Sequence, residues 1–134
     1  MRIISRRLAS LALGLLLIAS AAVGARTAPD AVIIFAPDAG RLKEADMSIL
    51  DQVSAKAKAD SAVWIALEAY ASDKGSHEMN LALAQRRIDS IIKGLAVLGF
   101  PAHRISGTSY VEERAIDDEL PMRRVEIRIE KFGI

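Results

Sequence analysis

The chain has 134 residues, of which 18 are Lys or Arg and 17 are Asp or Glu, and it contains no cysteine. This length excludes a multidomain enzyme. The missing thiols exclude disulfide scaffolds, thiolate zinc sites and cysteine nucleophiles.

The N-terminal segment has the pattern of a secretory signal. Basic residues precede an almost unbroken apolar run over residues 8–23, and Val23-Gly24-Ala25 supplies the small residues that a signal peptidase recognises. We therefore expect cleavage after Ala25, which divides the chain into a signal peptide (1–25) and one domain (26–134). An apolar run of this length is also long enough to span a bilayer, so retention as a membrane anchor stays open.

Removal of the signal changes the charge balance of the chain. The remaining 109 residues carry 15 basic and 17 acidic side chains, which gives a net charge of −2. The few aromatic residues, one Trp, two Tyr and three Phe in the whole chain, add no stacking surface. The domain therefore lacks the basic, aromatic surface of a nucleic-acid-binding protein.

The first half of the domain alternates strand and helix. A short β-branched run at 31–35 predicts a buried strand that ends before Pro37. An amphipathic helix is predicted over 42–59, with apolar residues at every fourth position: Ala45, Ile49, Val53 and Ala57. The nearly continuous apolar run at 62–70 is typical of a strand flanked by other strands.

The second helix has the clearest pattern in the chain. Ser76 is placed to cap its start, and Gly99 with Pro101 ends it. Its apolar residues share one face: Leu81, Ala84, Ile88, Ile91, Ile92, Leu95 and Leu98.

Two strands are predicted after this helix, at 105–111 and 123–130. The second alternates strictly, which predicts a buried side and a side facing water; the polar positions are Arg124, Glu126, Arg128 and Glu130. The complete pattern predicts an α+β fold, a two-layer sandwich of order βαβαββ.

Residues 31–131 resemble the OmpA-like C-terminal domain, the module shared by OmpA, Pal and the flagellar stator protein MotB. The resemblance rests on residues at the offsets of the family's loop-and-helix pattern, together with its final Arg-Arg-Val-Glu stretch: Gly75, Ser76, Asn80, Leu83, Arg87 and Arg123-Arg124-Val125-Glu126. It implies an OmpA-like fold and non-covalent binding of peptidoglycan through the diaminopimelate residue of the stem peptide. It also implies a periplasmic location, associated with the cell wall or the outer membrane.

The chain departs from the family pattern in the ligand loop. Ala69, Tyr70, Ala71 and Ser72 replace Gly, His, Thr and Asp, and Ala36 stands where many members carry Asp. In the family, the Asp aligned with Ser72 pairs with the ligand's ammonium group and the Arg aligned with Arg87 pairs with its carboxylate. Asp73, one residue further along, is a possible substitute for the missing acid.

The position of Arg87 is notable apart from the resemblance. At 100° per residue it lies about 20° from Asn80, at the margin of the apolar face. There it could offer its planar fork to a carboxylate. It could equally cover the rim of the core or pair with Asp38 or Asp73.

Three further residues are candidates for the site. Tyr70 ends the second strand within the binding loop. Arg123 and Arg124 match the paired arginines of the family, although Arg124 could also belong to a ladder of charges with Glu126 and Glu130.

We therefore expect a non-catalytic peptidoglycan-binding domain whose pocket lies at the ends of the first, second and last strands. The candidate ligand-binding residues are Arg87, Asn80, Ser72, Asp73, Asp38, Tyr70, Arg123 and Arg124. The alternative is an OmpA-like module that has lost its ligand and contacts another envelope protein. No cofactor motif, metal-ligand spacing or nucleophile–base pair is present in the sequence, so we expect neither a metal nor an enzyme.

Overall fold

A computed structural model describes residues 27–72, 74–112 and 121–131. Its strands and helices follow the predicted order: β1 (Ala31–Ile34), α1 (Glu44–Lys58), β2 (Val63–Ser72), α2 (His77–Val97), β3 (Ile105–Glu112) and β4 (Arg124–Lys131). A short 3₁₀ turn at Ala102–Arg104 precedes β3. The predicted α+β sandwich is confirmed, whereas the predicted signal peptide lies outside the described residues.

The four strands form one sheet in the order β1-β4-β2-β3. β4 runs antiparallel to both of its neighbours, and β3 runs parallel to β2. Arg124, at the start of β4, pairs with Ile34 at the end of β1. The ends of β1 and β2 and the start of β4 therefore meet at one edge of the sheet, where three connecting segments come together.

Both helices pack on the same face of the sheet. The predicted apolar face of α2 is confirmed, because Ala84, Ile88, Ile91 and Leu95 are buried. Ser76 caps this helix by accepting a hydrogen bond from the Met79 backbone N–H at 3.3 Å. These residues enclose a core with the inward side chains of the strands, which include Ile33, Ile65, Leu67, Val125 and Ile127.

The predicted apolar face of α1 is partly wrong. Val53 and Ala57 are buried as expected, but Ala45 is exposed, and Asp46 and Leu50 lie in the buried stripe. The carboxylate of Asp46 accepts a hydrogen bond from the Lys43 backbone N–H at 2.8 Å. An acidic side chain bonded to the start of a helix satisfies a backbone donor that has no partner within the helix, and this explains why a charged residue occupies the stripe.

The prediction of a water-facing side on β4 is wrong for three of its four polar residues, and Glu130 alone among them is exposed. Arg124, Glu126 and Arg128 are only 5%, 7% and 9% exposed. Glu126 lies directly opposite Glu68 of β2, which would be unfavourable for two like charges alone. Arg128 bridges them, with Nε bonded to Glu68 and Nη2 to Glu126. These charged side chains neutralise one another through their ion pairs, so alternation predicted their side of the sheet but not their burial.

None of the helices within the described ranges is both long enough and apolar enough to span a bilayer.

Candidate ligand-binding cleft

A cleft of about 220 Å³ opens at the edge of the sheet where β1, β2 and β4 meet. The sequence predicts a pocket at these same strand ends. Its walls come from the β1–α1 segment, the end of β2, the first half of α2 and the segment before β4. The lining residues are Pro37, Asp38, Tyr70, Ala71, Ser72, Asn80, Leu83, Arg87, Met122 and Arg123.

Arg87 projects from α2 to the back of this cleft and is only 4% exposed. Its Nε donates to the Ala39 carbonyl at 2.9 Å, and its Nη2 donates to the Ala36 carbonyl at 3.3 Å. The centre of the guanidinium lies 5.3 Å from the Phe35 ring centroid. A guanidinium carries five N–H donors, so the two bonds to backbone carbonyls leave donors available to a ligand.

The two carbonyls that Arg87 binds are the ends of a tight turn. The Ala39 backbone N–H donates to the Ala36 carbonyl at 3.1 Å, which places Pro37 and Asp38 at the central positions of a β-turn. Asp38 has a φ of 57°, in the left-handed region. Arg87 therefore holds this turn in place while it faces the cleft.

No ion pair to Arg87 is formed within the part of the chain that the structure describes. Among the described residues, no carboxylate lies within 4.0 Å of its guanidinium. Burial lowers the pKa of Arg87, Asp38 opposes this change, and Arg123 and Arg86 add to it. An arginine remains protonated at neutral pH. The cleft thus holds a partly desolvated cation that an anion would stabilise.

Asn80 organises the loop between β2 and α2. Its Nδ2 donates to the Ser72 carbonyl at 2.9 Å and to the Lys74 carbonyl at 2.7 Å. Both amide hydrogens are therefore used within the protein, and Asn80 positions the loop rather than offering these donors to a ligand. The hydroxyl of Ser72 accepts from the Lys74 backbone N–H at 3.0 Å. Asp73, named above as a possible substitute for the missing acid, lies outside the described residues.

The paired arginines at the start of β4 diverge. Arg123 is exposed and lines the cleft. Arg124 is buried: Nε bonds to Glu126 at 2.9 Å, Nη1 donates to the Pro121 carbonyl at 3.1 Å, and the guanidinium lies 4.1 Å from the Tyr70 ring centroid. The structure brings Arg123 to the cleft and leaves Arg124 in the charge network on the other side of the sheet.

Tyr70 contributes to both regions. It borders the cleft, but its ring also stacks on Tyr110 with centroids 5.5 Å apart and lies beneath Arg124. The ring therefore belongs to the outer layer of the sheet.

Four lining residues, Pro37, Ala71, Leu83 and Met122, were not among the candidate ligand-binding residues. Leu83 is four residues before Arg87 on α2, a spacing that places both on one face, so the helix pattern could have identified it. Pro37 and Met122 lie in connecting segments, where no periodicity indicates a direction.

No metal centre is formed by the described residues, because no group of three or more His, Asp or Glu side chains comes together there. His77 and His103 are exposed.

Comparisons with known proteins agree with this architecture. The family model of the OmpA family matches residues 34–126 of this chain. The peptidoglycan-associated lipoprotein of Pasteurella multocida (strain Pm70) is 35% identical over 68 residues, which is 51% of this chain and 45% of that protein. The matched part thus spans less than half the length of this curated relative.

Solved structures share the fold. The crystal structure of the peptidoglycan-associated lipoprotein from Burkholderia pseudomallei has a TM-score of 0.64 at 22% identity and covers 74% of this chain and 89% of that chain. The C-terminal domain of Helicobacter pylori MotB has a TM-score of 0.62 at 20% identity, with coverage of 75% and 84%. By its family match and its architecture, the chain belongs to the OmpA family.

Proposed function

We propose that this domain binds peptidoglycan without catalysing a reaction, and that Arg87 and Arg123 hold the carboxylate of the diaminopimelate residue of the stem peptide. The observation that carries the proposal is the state of Arg87, a buried cation in an open cleft with no acidic partner among the described residues. Two relatives of similar sequence or fold are named peptidoglycan-associated lipoproteins, which supports the same ligand.

The geometry suits a carboxylate. Arg87 is oriented by two bonds to backbone carbonyls, so its fork loses little conformational entropy when it binds a ligand. Hydrogen bonds to charged groups contribute about 1.5–3 kcal/mol each. Arg123 lines the same cleft and adds a second cation at its exposed side.

We further propose that residues 26–134 act in the periplasm, at the cell wall or the outer membrane, after removal of residues 1–25. One structure with the same fold is the periplasmic domain of Helicobacter pylori MotB, which supports this location.

Sedimentation with purified peptidoglycan tests the proposal. We expect the wild-type protein to sediment with peptidoglycan and Arg87→Ala to lose at least tenfold in affinity, which corresponds to about 1.4 kcal/mol. Arg86→Ala is the matched control, because Arg86 is the adjacent residue on α2 but is exposed and does not line the cleft. Equal retention of Arg87→Ala and wild type would overturn the carboxylate clamp.

The variant Arg123→Ala distinguishes an effect on ligand binding from an effect on folding. Arg87 also holds the turn at 36–39, so its loss will disturb the cleft as well as remove a charge. The side chain of Arg123 is exposed and makes no hydrogen bond or ion pair to the described residues. Arg123→Ala should therefore weaken sedimentation while leaving the urea midpoint unchanged.

Ser72 favours the alternative function. It replaces the family's ligand-binding Asp, and its hydroxyl is already bonded within the loop. A wild-type protein that fails to sediment with peptidoglycan but co-purifies with another envelope protein would establish an assembly module instead.

A further inference from the structure

We propose that Asp38 supplies the carboxylate that pairs with the ligand's ammonium group, so that the cleft recognises a free amino acid centre rather than a lone carboxylate. This inference rests on the proposed peptidoglycan binding and concerns the same cleft. It assigns to the β1–α1 turn the acid that the family places at the position of Ser72.

The backbone conformation of Asp38 is the first support. The described chain has two other residues with positive φ, and both are glycines, Gly75 and Gly99 at 83°. Glycine adopts this region at no steric cost, whereas a residue with a Cβ atom is disfavoured there, and Asp or Asn enters it with the help of a local side-chain hydrogen bond. Asp38 occupies the turn position that glycine usually takes, and strained residues of this kind cluster at ligand sites.

No bond from the side chain of Asp38 itself compensates this strain within the described residues. The carboxylate of Asp38 makes no hydrogen bond or ion pair with them. An aspartate in a turn commonly bonds its own backbone, as Asp60 does by accepting from the Ala62 N–H at 2.9 Å. Asp38 lacks such a bond, so its side chain is exposed and available at the rim of the cleft.

The position of Asp38 is set by Arg87, the residue proposed to bind the carboxylate of the ligand. Arg87 bonds the carbonyls of Ala36 and Ala39, on either side of Pro37 and Asp38. The turn that carries the acid is thus hydrogen-bonded to the cation, and the negative charge of Asp38 acts to raise the pKa of Arg87. A ligand that engages Arg87 is therefore held beside Asp38.

The charges that line the cleft are complementary to a zwitterion. Asp38, Arg87 and Arg123 all line it, and no ion pair within 4.0 Å joins the acid to either arginine. One carboxylate and two guanidinium groups, which form no ion pair with one another, can bind an ammonium group and a carboxylate that share one carbon atom. Diaminopimelate in an uncrosslinked stem peptide ends in such a centre.

Two peptides and two variants test the inference by calorimetry. The probes are an N-terminally acetylated stem tripeptide that ends in diaminopimelate and the same peptide with the amino group of diaminopimelate acetylated as well. Asp38→Asn removes the charge and keeps a residue that tolerates positive φ, and Asp38→Gly also relieves the strain. We expect the wild-type protein to prefer the free peptide about tenfold. Both variants should bind the two peptides equally, and Asp38→Gly should unfold at a urea concentration no lower than wild type.

The outcomes separate the two proposals. If the wild-type protein prefers the free peptide and Asp38→Asn keeps that preference, the role of Asp38 is overturned while peptidoglycan binding stands. If the wild-type protein binds both peptides equally, the cleft takes a lone carboxylate and Asp38 is again excluded. Binding of neither peptide by wild type would overturn the proposed function together with this inference.

Discussion

The side-chain amide of Asn80 lies 2.9 Å from the carbonyl oxygen of Ser72 and ties the first turns of α2 to the last residue of β2. A second bond from the same nitrogen reaches Lys74 at 2.7 Å. The Asn80 side chain therefore fixes the start of the loop between β2 and α2, which borders the cleft.

We expect Asn80→Ala to lower the free energy of unfolding by about 1–2 kcal/mol, because each lost bond leaves a carbonyl without this donor. Peptidoglycan retention should fall as well, since the Ser72 wall of the cleft loosens. Urea unfolding measures the first effect and sedimentation the second. Gln85→Ala is the control: its exposed amide bonds only to Asp89, so a change below about 0.5 kcal/mol is expected. Equal stability of Asn80→Ala and wild type would refute this role.

Loss of one partner from the charge network on the outer side of the sheet should lower the stability of the domain. Glu68→Ala leaves Arg128 with Glu126 as its remaining carboxylate partner among the described residues, beside the Thr27 carbonyl, in a layer where these side chains are about 10% exposed. We expect a cost of about 3 kcal/mol, since removal of one member of a buried ion pair leaves the other poorly compensated. Chemical unfolding provides the measurement.

The surface pair between Lys56 and Asp30 is the matched control for this network. It spans 3.4 Å, and the Lys56 side chain is 69% exposed. Lys56→Ala should cost less than about 1 kcal/mol. Similar costs for Lys56→Ala and Glu68→Ala would show that burial does not strengthen the network.

Gly107 permits close contact between β3 and α2. A Cβ added there would lie 2.8 Å from Cγ2 of Ile88, a fully buried and β-branched residue whose side chain has little rotational freedom. We expect Gly107→Ala to destabilise the fold by about 1–3 kcal/mol. Ile88→Leu removes the obstructing methyl group, so the double variant should recover about 1 kcal/mol relative to additive costs. If the costs of the two single substitutions simply add in the double variant, as measured by thermal or urea unfolding, this contact is excluded as the cause.

Arg104 should affect stability but not binding. Its Nη2 donates to the carbonyls of Ala57, Asp60 and Val63, and its Nε donates to Val63 as well. Arg104→Lys replaces the fork by a single ammonium, and we expect a loss of about 2 kcal/mol. Val63 starts β2 and the cleft lies at its end, so peptidoglycan retention by the folded variant should equal that of wild type. A selective loss of binding would contradict this separation.

The sequence predicted the elements well because their signals are local. The apolar face of α2 and its cap at Ser76 depend on residues within a few turns of one another, and the structure confirms both. Alternation in β4 likewise predicted which side chains share a side of the sheet. It could not predict burial of that side, because Arg128 is neutralised by Glu68, which is 60 residues away in the chain.

The candidate site was predicted in part for the same reason. The spacing of Asn80 and Arg87 placed both on one side of α2, and both line the cleft. The partners of Arg87 are carbonyl groups 48 and 51 residues away, and backbone groups have no signature in a sequence. The positive φ of Asp38 also had no local signal, since Pro37 suits the second position of both type I and type II turns, and only the type II turn places the next residue in the left-handed region.

The order of the strands has a consequence for how the domain assembles. β4 follows every other described element in the chain, yet it lies between β1 and β2, and β1 pairs with no other described strand. A polypeptide that emerges from its N-terminal side cannot complete the sheet until β4 has emerged as well. Formation of the long-range pairs is thereby delayed, and the earlier segments stay without a completed sheet until the last strand arrives.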